Sequence, residues 1–287
     1  MDIRGFHYFN AVFEEKSIRE AARRLFISPQ GLGKIIRTME GEFNTTFFER
    51  TKNGLVPTKS GVLFYKWSKE FTDSMNVLRD QISELDSSVQ TLRVAWANGV
   101  SKAFSMDKIM GIIRENDNVD VKLFEYENTE LPDKLISSEI DFALSVGKID
   151  DRRIEQDVLL RLPLGLLVFE GHPFWDMESI SVDMLRGLPL VSMNEKFRIY
   201  QELRDICLAE GFEPNIRLVA ADGQTLGRFC MQKLGAAFTP KFPSVEENGL
   251  RFIPFDNDGL TWDIYGSWLT GKHDMAVVKV ARDYFRG

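Results

Sequence analysis

The sequence predicts an α/β chain headed by a small all-α winged helix-turn-helix and a long linker helix, and three observations carry that prediction. Two capped helices follow each other over a short turn between residues 17 and 40. A heptad of apolar residues then runs without proline from Thr58 to Val89. From about residue 90 the pattern changes to short strands alternating with helices, the signature of βαβ units and a parallel sheet.

Residues 2–15 form the first helix, with Phe6, Phe9 and Phe13 at steps of three and four. The second opens on the capping box Ser17-x-x-Glu20 and buries Ile18, Ala21, Ala22 and Leu25. The third opens on Ser28-Pro29, a hydroxyl cap before a proline suited to the first turn, and buries Leu32, Ile35, Ile36 and Met39. Its outer face carries Gln30, Lys34 and Arg37. Asn53-Gly54, between short extended runs, signals a hairpin beside it, a wing carrying Arg50 and Lys52. A basic hairpin next to an exposed helix suits double-stranded DNA: the helix enters the major groove and the wing holds neighbouring phosphates.

The stretch resembles the winged helix-turn-helix of the LysR-type transcriptional regulators. The residues that carry the likeness are Met1 to Arg4 and Tyr8-Phe9, Ala21-Ala22 within Ser17 to Leu25, Ser28-Pro29-Gln30, Ile36-Arg37-x-x-Glu40, Phe47 to Thr51 and Pro57-Thr58-x-x-Gly61. The likeness continues diffusely to the C-terminus. One departure lies in the recognition helix, where Gly31 and Gly33 replace the alanine and serine more common in the family, each glycine costing about 1 kcal/mol of helix propensity relative to alanine. Two readings stay open: closer backbone approach to the groove, or a helix that sharpens only on DNA. Gln30 and Lys34 are the expected base readers, Gln matching adenine and Lys guanine edges. Ser28, Arg37, Arg50, Lys52 and Asn53 are the expected phosphate contacts.

Phe64, Phe71, Leu78 and Leu85 make one series of sevens, and Ser68, Met75, Ile82 and Val89 the other. This reads as a coiled-coil seam, with Phe71, Met75, Leu78, Ile82 and Leu85 as dimerisation residues. An ordinary amphipathic helix packed on its own domain is the alternative.

Beyond it, strands are expected at 92–97, 119–124, 140–146, 188–193, 216–220, 235–239, 252–255 and 265–269, with an apolar run at 162–169. Helices are expected at 104–115, 130–138, 181–186, 199–210, 223–234 and 274–285. The resemblance implies two lobes folded like periplasmic solute-binding proteins, with a small-molecule effector between them. The implied organisation is a DNA-binding domain at 1–58, a linker and dimerisation helix at 59–90 and an effector domain at 91–287. Lobe I would comprise about 91–161 and 268–287, and lobe II about 162–267. Ligands in open α/β sheets sit at the carboxyl ends of strands, which directs attention to Asn98 to Ser101, Val146 to Lys148, Met193 to Tyr200 and Ala221 to Gln224. Within them Asn98, Ser101, Asn194, Arg198 and Gln224 are candidate polar contacts, and Phe197 and Tyr200 candidate walls. Arg198 would suit a carboxylate or other anion.

Charge is segregated: residues 1–60 carry a net +3 and the rest −10, which steers one end of the chain toward phosphate. The longest apolar run, Leu162 to Phe169, is far below spanning length, and the expected location is the cytoplasm. Cys207 and Cys230 lie in apolar helical stretches and read as buried hydrophobes. His7, His172 and His273 stand apart with no ligand cluster, so neither a metal, a cofactor nor a catalytic group is expected. The expected partners are promoter DNA with dyad symmetry, an effector, and further copies of the chain as a dimer or tetramer. Two alternatives remain: a ligand-binding protein or enzyme built on the α/β lobes, and an architectural DNA-binding protein without a small ligand.

Overall fold

The computed structural model describes residues 3–52, 54–86, 90–116, 118–243 and 249–286. They form two compact units, Met1–Leu85 and Asp86–Gly287.

The first unit comprises α1 (Ile3–Glu15), α2 (Ile18–Arg24), α3 (Pro29–Glu42), β1 (Phe48–Thr51), β2 (Gly54–Pro57) and nearly all of α4 (Lys59–Asp86). Both hydroxyl caps form: Ser17 Oγ accepts the Glu20 amide at 3.3 Å, and Ser28 Oγ accepts the Gly31 amide at 3.1 Å. The helices close over Phe9, Val12, Ala21, Ala22, Leu32, Ile36, Met39 and Phe47. In α3 the inner face is rotated from the expected one, because Gly33 is buried and Ile35 only half-buried. The wing is an antiparallel pair in which Gly54 pairs with Thr51, so Gly54 begins a strand rather than sitting in the turn; Asn53 lies outside the described residues. The Leu55 amide donates to the Lys16 carbonyl at 3.0 Å, docking the wing on the turn between α1 and α2.

Thr58 joins wing to long helix, its hydroxyl donating to the Thr46 carbonyl at 2.7 Å while accepting the Gly61 amide at 3.0 Å. Gly61 has no room for a side chain, since a Cβ there would lie 2.2 Å from the Phe47 carbonyl oxygen. Beyond this point the two heptad series divide. Phe64 and Ser68 turn inward, Phe64 onto Phe9 and Phe47 and Ser68 onto Asn10. Phe71, Leu78 and Ile82 stay 39%, 45% and 51% exposed and Met75 half-buried. Phe71 also packs on Phe6, with ring centroids 4.7 Å apart, and Val62, Leu63 and Trp67 on the preceding turns are exposed as well. The Leu85 and Val89 side chains lie outside the described residues.

The second unit runs through β3 (Gln90–Ala97), α5 (Val100–Ala103), α6 (Met106–Arg114), β4 (Val119–Tyr126), α7 (Leu131–Ile136), β5 (Phe142–Val146) and β6 (Ile154–Phe169). It continues with β7 (Leu190–Met193), α8 (Arg198–Ala209), β8 (Ile216–Ala220), α9 (Gly223–Met231), β9 (Ala236–Pro240), β10 (Leu250–Pro254), β11 (Thr261–Leu269) and α10 (Ala276–Arg286). Where the spacing predicts a helix over 181–186, only a 3-10 turn forms, Val182–Leu185.

The sheet order is β4-β3-β5-β11-β6-β9-β7-β8, with β10 also on β6. The βαβ steps β3–β4, β3–β5, β7–β8 and β7–β9 are parallel as expected, but β11 on β5, and β11, β9 and β10 on β6, are antiparallel, so each lobe has a mixed sheet. The sixteen-residue β6 belongs to both lobes: Ile154–Pro163 pairs with β11, and the stretch from Leu164 pairs with β9 and β10. The expected strand at 162–169 is thus the second half of a longer one. Since β11 lies wholly in the first lobe's sheet, the chain returns there at Leu260/Thr261, earlier than the crossing near 268 that the sequence implies. Two adjacent antiparallel crossings hinge the lobes and leave a cleft between the carboxyl ends of their parallel strands.

Candidate nucleic-acid interface and ligand cleft

Gln30, Gly31, Lys34 and Arg37 on α3, and Arg50 and Lys52 on the wing, are all exposed. Their neighbours explain which cations are available. Arg23 on α2 pairs with Glu20, and Arg24 with Glu14 at 2.8 Å and Glu15 at 3.3 Å, so these two α2 charges are neutralised locally. Among the described residues no carboxylate pairs with Lys34, Arg37, Arg50 or Lys52. Exposed cations without a carboxylate partner are thus present on both the recognition helix and the wing, as phosphate binding requires.

Ser28 is exposed, and its Oγ caps α3 by accepting the Gly31 amide, which still leaves the O–H able to donate. Gly33 is buried, its side toward Ile18 and Arg37. Gly31 remains on the outer face; a Cβ there would sit 2.9 Å from the Ser28 Oγ that caps the helix. The two glycines respond differently to alanine. A Cβ at Gly33 meets only Arg37 at 3.7 Å and Ile18 at 3.8 Å, ordinary contact distances. Gly33→Ala is expected to stabilise the protein by about 1 kcal/mol through helix propensity, read as a raised urea midpoint. Gly31→Ala should give no such gain. One group escaped the sequence reading: Phe26, in left-handed backbone (φ +55°) at the helix-turn-helix corner, is 95% exposed beside α3.

In the second unit a cleft of about 830 Å³ opens between the lobes, within the usual range of ligand sites. Asn98, Ser101, Phe197 and Gln224 line it as expected, with Met193 and Ala221 from the expected segments. Three expected contacts do not. Arg198 borders only a side cavity of about 60 Å³, where its guanidinium lies over Gly147 and its Nε donates to Glu202 at 3.0 Å. Asn194 Oδ1 accepts the Lys196 amide at 3.0 Å, which shapes its own turn. Tyr200 lines neither cavity.

The cleft also holds Asp222, within the expected segment Ala221 to Gln224, and groups that the sequence reading missed: Lys102 and Arg228, and the walls Phe238, Phe242 and Trp262. Asp222 caps α9, its Oδ1 accepting the Gln224 and Thr225 amides at 2.9 and 2.8 Å, and these bonds hold its carboxyl below the usual range. Lys102, on α5 in the first lobe, reaches Gly223 in the second so closely that a Cβ there would fall 1.9 Å from its Nζ. Burial lowers the Lys102 pKa, and the Asp222 carboxylate opposes the shift.

Both cysteines are buried and free. Burial pushes the Cys207 thiol up to about 11 and the Cys230 thiol up to about 12, and Cys230 Sγ donates to the Leu167 carbonyl at 3.1 Å. Such thiols supply almost no thiolate at neutral pH. Among the described residues no group of histidines, cysteines and carboxylates is arranged to hold a metal.

The chain matches two family models: the bacterial regulatory helix-turn-helix protein, lysR family, over residues 3–62, and the LysR substrate binding domain over 86–287. It is 22% identical over 253 residues to the HTH-type transcriptional regulator AlsR of Bacillus subtilis, covering 84% of this chain and 80% of that protein. It is likewise 22% identical over 259 residues to the hydrogen peroxide-inducible genes activator of Haemophilus influenzae, covering 88% and 86%. Full-length BenM shares the fold with a TM-score of 0.63, 21% identity and coverage of 100% of this chain and 96% of that one. Full-length OxyR from Pseudomonas aeruginosa does so with a TM-score of 0.64, 18% identity and coverage of 100% and 98%. With a capped recognition helix and basic wing at one end, a two-lobed cleft at the other, and family matches over both, the chain belongs to the LysR family of transcriptional regulators.

Proposed function

We propose that the protein is a sequence-specific regulator that reads a promoter dyad as a dimer and changes its action when a small molecule occupies the cleft. The observation that carries this is the unpaired cationic face formed by Lys34, Arg37, Arg50 and Lys52 around exposed Gln30. Gln30 and Lys34 are the base readers, while Arg37, Arg50 and Lys52 hold phosphates. The protein acts by binding rather than catalysis, in the cytoplasm where promoter DNA is; among the described residues no helix is long and apolar enough to cross a membrane.

The test is a nuclease protection footprint on DNA upstream of its own gene, at about physiological salt. A protected dyad is expected, and protection no better than on random DNA overturns the reading. Lys34→Ala should relax sequence preference, whereas Arg50→Ala should weaken all sequences alike and lower the salt slope by about one. Equal losses for Lys34→Ala on specific and random DNA would make Lys34 a phosphate contact.

The dimer rests on the exposed seam of α4. Leu78 and Ile82, with partly covered Phe71 and half-buried Met75, form an apolar stripe along α4. Leu78→Asp buries a carboxylate in that seam and should yield a monomer by sedimentation. A variant that sediments as the wild type would show that the stripe does not pair.

A further inference from the structure

Resting on the reading of the cleft as the effector site, we infer that its ligand is an organic carboxylate with a compact apolar body, bound at its acid end by Lys102. The apolar requirement comes from the walls: Phe197, Phe238, Phe242 and Trp262 enclose the space together with Leu226 and Met231. A small polyol or a peptide of charged residues would leave such surface without a partner. The charge requirement comes from Lys102. Its ammonium is crowded by the opposite lobe at Gly223, yet it makes no hydrogen bond and no ion pair within 4 Å among the described residues. Asp222 attracts it only through space. That carboxylate is already filled by the Gln224 and Thr225 amides and by the Thr225 hydroxyl at 2.8 Å. The same hydrogen bonds occupy the Gln224 and Thr225 amides in the first turn of α9, and the Lys102 ammonium is the charged anchor beside them.

Two neighbours complete an acid-binding end. The Ser101 hydroxyl and the Gln224 side-chain amide line the same cavity, and neither is engaged among the described residues. Arg198, the cation that the sequence points to, is excluded because it lies outside this cavity and is neutralised by Glu202. Lys102 and Ser101 come from the first lobe, and Gln224 and Gly223 from the second. A carboxylate bound among them would join the lobes, which links occupancy to closure.

The experiment is calorimetric titration of the full-length protein with matched acid and amide pairs: benzoate and benzamide, 1-naphthoate and 1-naphthamide, 4-methylpentanoate and its amide. For at least one pair the acid is expected to bind roughly tenfold or more tighter than the amide, as a charge-assisted contact implies. That preference should vanish in Lys102→Met and persist in Lys102→Arg, with both variants melting as the wild type does. Amides as tight as acids, an acid preference that survives Lys102→Met, or no saturable binding by any of the three acids would overturn the assignment. Gly227→Trp separates this from failure of the cleft reading itself: Gly227 lines the cavity, and a Cβ there meets nothing within 4 Å, so the indole fills the cleft. Acid binding that persists in Gly227→Trp lies elsewhere and overturns the cleft reading. Binding lost there but indifferent to Lys102 overturns only the anchor.

Discussion

Asp141→Asn is expected to cost about 3–5 kcal/mol of stability, because it removes the charge that faces a buried cation. The Asp141 side chain is 1% exposed and Lys272 fully buried, with Lys272 Nζ 2.9 Å from Asp141 Oδ1. Arg93 closes the other side, donating its Nε at 2.8 Å and its backbone amide at 3.0 Å to Oδ2, and a guanidinium nitrogen at 2.9 Å to Oδ1. Arg93 sits on β3, Asp141 just before β5 and Lys272 just after β11, so one carboxylate ties together three segments that are distant along the chain. Burial pushes the Asp141 pKa up, but Arg93 and Lys272 outweigh it and hold the group below its ordinary value. A depressed carboxyl pKa contributes stability that is present above the unfolded value of about 3.9 and lost as pH falls through the folded one. Wild type should thus lose this contribution only in acid, whereas Asp141→Asn lacks it at pH 7 already. Urea unfolding at neutral pH reads the cost. Adding Lys272→Met should recover most of it, since the buried cation is then gone and Arg93 has a route to water. A loss under about 1 kcal/mol for the single variant would mean that the triad contributes little.

None of that triad is visible along the chain, whereas the helix-turn-helix is, and the difference is range. Ser17, Glu20, Ser28 and Pro29 act within one helical turn, so spacing alone identifies their caps. The burial of Gly33 was not legible because a glycine adds no apolar signal to the period, which Leu32, Ile35, Ile36 and Met39 set. The first half of β6 escaped because its Glu155, Asp157 and Arg161 break any apolar alternation. In the cleft, the loops after β3 and β8 were legible from the rule that ligands meet the carboxyl ends of strands. What was not legible depends on the other lobe: Trp262 reaches the cleft only because β11 inserts beside β6, and Lys102 matters only because Gly223 faces it. Arg198 is the instructive case, since Glu202 one turn along the same helix was in view and the i,i+4 spacing predicts the neutralising pair.

Phe64→Ala is the other substitution with a large expected effect, about 3–5 kcal/mol, and it should also weaken DNA binding from the side of the unit that carries no DNA contact. The Phe64 ring lies 4.5 Å from that of Phe9, 4.6 Å from Phe47, 5.3 Å from Phe43 and 5.8 Å from Phe6, centroid to centroid. It therefore fastens α4 to α1 and to the segment between α3 and the wing. Two turns further along α4 the proposed dimer seam begins, so the same helix that Phe64 fastens sets where two reading heads stand relative to each other. Truncation to alanine opens a cavity among four aromatic rings and frees the head to pivot; Phe64→Leu keeps most of the volume and should cost under about 1.5 kcal/mol. Loss of orientation and loss of contacts have different signatures. Removing a phosphate contact lowers the salt slope, while a pivoting head still makes every contact once bound and must be ordered first. Phe64→Ala should accordingly bind the dyad site more weakly with an unchanged salt dependence, and Phe64→Leu should bind nearly as the wild type does. A reduced slope in Phe64→Ala, or a loss in Phe64→Leu equal to that in Phe64→Ala, would show that α4 does not orient the reading head through this ring.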